Sequence, residues 1–358
     1  MKHFLPLLFS LLSVWMLSSC GWQAVHITVT NDLEFAREEV IALNNGYIRL
    51  TLDAAPGENV VVRDLLWRRQ PYQMTADSSD LLMPVSVRKR GVKHFWIHKG
   101  RPGNFKPRVG TVQRAEDGSL TWGNDLVAFR TDGARVTLDQ TDLAAAVYDA
   151  APYAYGKLWN SGGFTSYEVL EQGPVRLSFR LICTPFTVAD SLNAASEWIV
   201  TLDAGARMAR IEHMFTGEGL DKLTVGFGLL RDNTCEYAQE KADAYVAAFG
   251  TAPSAQVFSA AAVILPPQER ITRYYHRRNG VPQLDLSKRW LLPDLDIVAS
   301  DGRQLILTPC PDEDGDALVC YFGGVSGASG FSGRESWLDY VRNHTAAQMS
   351  PLHIGWKK

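Results

Sequence analysis

The chain carries almost no net charge. Its 36 basic residues stand against 39 acidic ones, a net of −3 over 358 residues. Nucleic-acid binders show a basic patch or stripe as their electrostatic footprint, so no nucleic acid is expected as a partner. Cysteine is sparse, five in all. No Cys-x-x-Cys pair, phosphate-cradling Gly-Lys-Ser/Thr loop or Gly-x-Ser-x-Gly elbow occurs. Those gaps disfavour nucleotide hydrolysis and α/β-hydrolase chemistry. No internal repeat and no linker-like low-complexity stretch divides the chain. The apolar run from Phe4 to Leu17 falls short of the ~20 residues that a spanning helix needs.

What is present begins with an address. Lys2 and His3 give a basic start, the apolar run follows, and Leu17-Ser18-Ser19-Cys20 closes it. This is the three-part layout of a secretory signal, with small residues ahead of a cysteine as the lipoprotein peptidase requires. Residues 1–19 therefore read as a lipoprotein signal peptide, Cys20 as the lipidated residue, 20–25 as a tether and 26–358 as a single domain. Gly21 follows the cysteine without an acidic export tag. The expectation is an outer-membrane lipoprotein facing the periplasm, with surface exposure left open. Cys183, Cys235, Cys310 and Cys320 remain, in a compartment that permits disulfides. Cys310 and Cys320 flank the acidic turn 311–316 and either bridge across a hairpin or stay as buried thiols.

Short β-branched or alternating apolar runs recur between Gly, Pro, Asp and Asn: His26 to Thr30, Tyr47 to Leu52, Val60 to Leu66, Leu82 to Val87, Val127 to Arg130 and Val175 to Ile182. Further along come Trp198 to Leu202, Met208 to Phe215, Leu223 to Leu229, Val257 to Leu265, Leu305 to Thr308 and Leu318 to Phe322. Such spacing predicts an all-β fold, a large β-sandwich, of which a mutarotase-like supersandwich is one form left open. Helical periodicity is confined to Ala238–Ala248 and Glu335–Met349, read as accessory helices.

Several stretches together resemble one family. They are Thr28 to Arg37, Trp122-Gly123-Asn124-Asp125 with the strand to Arg130, Gly173-Pro174-Val175-Arg176, Thr201 to Gly205, and Tyr321-Phe322-Gly323-Gly324 with Trp337 and Pro351-Leu352. The sequence is thereby similar, nearly end to end after Cys20, to the domain-of-unknown-function family 4861, found among lipoproteins of polysaccharide degradation. The resemblance implies a β-rich fold and an acidic oligosaccharide as ligand. It also implies elimination of water from a terminal uronic acid, a proton abstraction that needs a base, an acid and a group neutralising the carboxylate. Gly123 stands where the family pattern carries Glu, and 131–155 is a short segment without histidine. Both departures motivate the alternative of a glycan-binding lipoprotein without catalysis.

Candidate site residues follow from that chemistry. Arg130 would hold a substrate carboxylate in bidentate fashion and Asp125 would orient it, with Trp122 and Asn124 beside them. Alternatively an Asp-Arg pair simply pins the turn. Tyr274-Tyr275-His276-Arg277-Arg278 combines proton-moving and carboxylate-holding groups, with Tyr275 and His276 as catalytic candidates and Arg277 as a binder, or it is a solvated basic loop. In an extended chain Tyr275 and Arg277 face away from His276. His213 is either a proton carrier on a concave face or a hydrogen-bonded core histidine. Trp159, with Trp96, Trp290 and Trp337, either lines a sugar groove or fills the core. His94 and His98 are a weak metal pair, and Asp312, Asp314 and Asp316 are read as a solvated turn, not a calcium loop. No residue is assigned as a metal ligand, and any cofactor or metal requirement is left open.

Overall fold

The computed structural model describes residues 23–357 except 140, 142, 241–244, 253–256, 267–274, 279–280, 285–296, 299–302, 311–316 and 328–329. The fold is a large antiparallel β-sandwich, as the strand spacing predicts. Two nine-stranded sheets face each other. Period-two alternation builds them: Leu192–Asp203 buries Trp198, Val200 and Leu202, and Met208–Thr216 buries Ile211, His213 and Phe215. These side chains meet Phe129, Tyr148 and Phe227 of the opposite sheet in one core. The second sheet runs in the order Phe164–Gln172, Arg176–Cys183, Leu192–Asp203, Met208–Thr216, Leu318–Ser326, Val257–Ile264, Tyr245–Ala252 and Glu236–Glu240, and its ninth strand, Phe186–Val188, pairs with Leu192–Asp203 off this path.

A smaller N-terminal sandwich has its own core, including Val25, Ile27, Leu81 and Phe95. Its five-stranded sheet is ordered His353–Lys357, Ala24–Thr30, Val92–Lys99, Val60–Asp64 and Arg69–Gln70. It packs on a three-stranded sheet containing Arg37–Asn44, Asp80–Val87 and Gln73–Met74. Of the two α-helices among the described residues, α1 (Asn45–Leu52) belongs to this unit, and α2 (Arg334–Met349) covers the outer face of the second large sheet. Trp337, Leu338 and Val341 of α2 pack there against Tyr245, Phe249 and Ala262.

Two expectations are corrected. Tyr47–Leu52 is helical because the Asn44 side chain caps it, accepting from the Tyr47 amide at 2.8 Å, and because Ile48 and Leu52, four apart, are both fully buried. Asp53 ends the helix with φ 49°. The stretch Ala238–Ala248 is a hairpin, Glu236–Glu240 paired with Tyr245–Ala252. Its apolar density is continuous because the second strand is buried on both faces. Val246 and Ala248 enter the main core, while Tyr245, Ala247 and Phe249 lie under α2. The predicted C-terminal helix is present one residue longer, and Cys310 and Cys320 are buried thiols, not a bridge.

One strand was hidden by its proline. Val147–Ala154 lies inside the first sheet with Pro152 opposite Val225. The Pro152 carbonyl accepts from Trp159 on the other flank. In an antiparallel ladder a residue's N–H and C=O point to the same side, so the missing donor faces a flank where ladder pairing stops at Asp149 and resumes at Tyr153.

Candidate functional site

Where the N-terminal sandwich, the outer face of the second large sheet and α2 meet, they enclose a cleft of about 790 Å³. Strand alternation supplies its floor. Because Ile211 and His213 point into the core, Arg210 and Glu212 point outward, and neighbouring strands present Arg176, Ser178, Thr201, Asp203 and Tyr321. Arg37 and Glu39 form one wall, and Tyr340, Asn343, His344 and Gln348 of α2 form the other.

The charges here are paired in place. Arg176 donates through Nε and a terminal nitrogen to both Asp203 oxygens, at 2.6 and 2.8 Å. Burial opposes the Arg176 charge, but Asp203 outweighs it and raises the guanidinium pKa. Arg210 pairs with Glu212. Arg37 holds both Glu39 oxygens at 2.5 and 3.0 Å and also donates to the carbonyls of Ser350 and Ala347, at 2.6 and 3.1 Å. It thus binds the carbonyl end of α2, where the helix dipole favours a cation. A guanidinium has five N–H groups and a carboxylate about four lone-pair positions, so the bidentate pairs leave donors and acceptors unspent.

Rings complete the walls. Burial raises Tyr340 to about 12, keeping it a phenol. The Tyr321 hydroxyl donates to Gln348 Oε1 at 2.7 Å, and its ring meets His344 edge-on at 4.8 Å. Burial, with the Arg37 charge adding to it, lowers His344 to about 4, so its imidazole is neutral. His344 Nε2 is shielded from solvent. The histidine therefore backs the Tyr321 ring.

The Trp122-Gly123-Asn124-Asp125 motif acts from behind this cleft. Asn124 Nδ2 donates to the carbonyls of Asp203 and Ala206, at 2.7 and 2.6 Å, while its Oδ1 accepts from the amides of Leu126 and Val127. Asp125 accepts from the Gly205 amide at 2.9 Å and from Arg108 Nε at 2.8 Å, and Arg108 reaches Glu38 at 3.3 Å. Together they clamp the turn that carries Asp203. Glycine is required at 205: φ is +78°, and a Cβ would lie 2.9 Å from both Arg108 and Glu38. Gly123 is close-packed as well, since a Cβ would lie 2.7 Å from the Val127 carbonyl oxygen.

The other sequence candidates do not join them. Trp122 stacks on Phe129 at 4.3 Å inside the core. Arg130 alternates to the outside, away from the cleft, and pairs with Asp117 at 3.1 Å. His213 is fully buried between the sheets, bonded to the Tyr148 hydroxyl at 2.7 Å. Trp159 donates to the Ala154 carbonyl and lies under Lys157, on the first sheet. Trp337 is buried under α2. Tyr275–Arg278 forms a hairpin with Val281–Leu284, which places Tyr275, His276 and Arg277 on one strand. The positions of their side chains, and Tyr274, Trp290 and 311–316, lie outside the described residues. Sequence reasoning did not single out Arg37, Arg176, Asp203, Arg210, Glu212 or Tyr340. Arg37, Arg176 and Asp203 nevertheless stand inside the stretches that carry the family resemblance.

Comparison with known proteins fits this picture. A family model described as a domain of unknown function (DUF4861) matches residues 144–354. It takes in the floor of the cleft and α2, while the Thr28–Arg37 and Trp122–Arg130 stretches precede it. No curated protein matches significantly. Among solved structures, an alpha-mannosidase from Enterococcus faecalis V583 is similar at TM-score 0.54 and 9% identity, covering 94% of this chain and 46% of that one. A protein of glycosyl hydrolase family 38 from Enterococcus faecalis is similar at TM-score 0.55 and 10% identity, with 94% and 48% covered. The chain thus spans about half the length of each, and the likeness is one of fold.

Proposed function

The chain belongs to the family described as domain of unknown function 4861, and we propose that it is a carbohydrate-active protein whose ligand binds in the cleft between the two sandwiches. The observation that carries this reading is convergence. Stretches far apart in sequence, containing Arg37, Arg176, Thr201 to Gly205 and Tyr321, meet on one cleft, and Asn124 and Asp125 hold its turn from behind. Arg–carboxylate pairs with unspent donors and acceptors suit vicinal hydroxyls, and the Tyr321 and Tyr340 rings suit the C–H face of a sugar. The fold shared with an alpha-mannosidase supports a sugar ligand.

The finer reading is an acidic oligosaccharide that loses water at a terminal uronic acid. In that reaction Arg176 or Arg210 neutralises the substrate carboxylate, Glu212 or Asp203 takes the proton beside it as the carbon–carbon double bond forms, and the Tyr340 phenol protonates the departing hydroxyl, which leaves as water. The protein would work at the outer membrane, held by lipid on Cys20. A second reading, binding without chemistry, is favoured by one observation: Arg176, Arg210 and Arg37 each already hold a carboxylate.

The test is incubation of the full chain with uronic-acid-ended and neutral oligosaccharides, following ultraviolet absorbance of an unsaturated product and binding in parallel. Absorbance that falls ~10²-fold or more in Glu212→Gln supports the lyase. Binding without absorbance, lost in Arg176→Ala, supports the binding protein. Neither with any glycan overturns the proposal.

A further inference from the structure

The outer face of the five-stranded sheet has no part in the cleft. Strand register brings Lys357, His26, Trp96, Arg63 and Arg69 into one row across its five strands, and that row contains no carboxylate. The rings form a ribbon: His26 stacks on Trp96 at 4.8 Å and on His94 at 5.3 Å, and Trp67 stacks on His98 at 6.0 Å. Arg63 lies over the Trp67 ring at 5.2 Å.

Beside the ribbon projects a turn that a purely soluble surface would not favour. Leu65, Leu66 and Trp67 are consecutive and 69%, 70% and 45% exposed. Isolated exposed apolar residues are ordinary, but three adjacent ones beside an aromatic ribbon make a patch. The turn is held firmly. Asp64 Oδ1 accepts from the amides of Leu66 and Arg68 at 3.0 and 2.9 Å, and Trp67 adopts φ +64°, a conformation rare for a large side chain. A rigid turn that displays two leucines is not a loop seeking burial in its own fold.

We propose that this turn and the ribbon beside it form a membrane-docking surface, with Leu65, Leu66 and Trp67 entering the acyl boundary and Arg63, Arg69 and Lys357 meeting anionic phospholipid headgroups. Aliphatic tips flanked by cations and an amphipathic tryptophan match the interface of a bilayer. The proposal rests on the lipid-anchor reading of Cys20 in one respect. Ala24 pairs with His98, the residue on which Trp67 stacks, and the four peptide units from Cys20 to Ala24 span at most roughly 14 Å. A lipid on Cys20 would therefore tether the chain beside this face. An acidic glycan would also find the cations and rings, but it has no use for Leu65 and Leu66.

To test this, the full chain is mixed with phosphatidylethanolamine–phosphatidylglycerol vesicles whose acyl chains are brominated, and tryptophan emission is compared with that on unbrominated vesicles. Wild type is expected to lose emission on the brominated lipid. That loss should be largely abolished in Trp67→Phe and weakened in Leu65→Ser/Leu66→Ser, whose exposed positions leave folding intact. An equal fractional loss of emission for all three proteins, or no loss for wild type, overturns the proposal, as does protection of Trp67 from acrylamide by a soluble acidic polysaccharide but not by vesicles. Incorporation of labelled palmitate, absent in Cys20→Ser, judges the anchor separately. Label without quenching removes the docking surface alone, and quenching without label removes the anchor alone.

Discussion

The two faces of the strand Met208–Thr216 treat titratable groups in opposite ways. On the inner face His213 is enclosed by Trp198, Phe215 and Phe227, its Nε2 bonded to the Tyr148 hydroxyl, which in turn lies 2.8 Å from Cys320 Sγ. Burial alone lowers His213 to about 3, and burial first of all raises Cys320 to about 12 and Tyr148 well above its ordinary value. All three are neutral. On the outer face, one residue away, Glu212 is paired with Arg210 beside the Arg176–Asp203 pair, and charge is kept by partnership. Period-two alternation thus sorts the same strand into a silent network and a displayed one.

The sharpest way to break that contrast is to remove what covers the outer face. Trp337→Ala takes a fully buried ring from under α2, and should cost about 3–5 kcal/mol in urea unfolding while loosening the helical wall of the cleft. A pH series probes the inner face. His213 is lowered in the folded state, so its contribution is complete above its ordinary value of 6.5 and is lost as pH falls towards about 3. Stability should fall on acidification across that window, by at most about 1.4 kcal/mol per pH unit for each such group. His344, lowered to about 4, acts in the same direction. His213→Phe should therefore flatten the curve in part, and an unchanged slope would remove His213 from the account. Asp203→Asn breaks a half-buried pair and should cost about 1–3 kcal/mol, with ligand binding reduced more than stability. Arg130→Ala, at an exposed pair outside the cleft, should change stability by less than about 1 kcal/mol and leave binding unaltered.

The large sandwich was readable because long strands such as Leu192–Asp203 alternate cleanly. Where both faces are buried, as at Tyr245–Ala252, alternation vanishes and the run looks helical. At Tyr47–Leu52 the reverse happened: a β-branched, aromatic composition concealed a helix that one asparagine cap and two buried residues decide. The inward position of His213 followed from its neighbours Ile211 and Phe215, which made a core histidine one of its two readings. The cleft was not readable in the same way. Its groups come from Arg37, Arg176, Asp203, Glu212, Tyr321 and Tyr340 on three separate parts of the fold, and nothing local in any segment says which others it will meet. The Asn124-Asp125 motif was visible as a pattern, but its action on the Asp203–Ala206 turn, some 80 residues away, exists only in the folded chain.

The strand His353–Lys357 lies against Ala24–Thr30, pairing Thr28 with Gly355, 327 residues away in sequence. The N-terminal sandwich is therefore built from the earliest described segment and from one of the latest. During synthesis it waits with an open sheet edge until the large sandwich and α2 have been made. Closure of so long a loop is slow to nucleate. The seam between the first strand and residues 353–357 is thus expected to form late and to be the first ladder to exchange its amide protons.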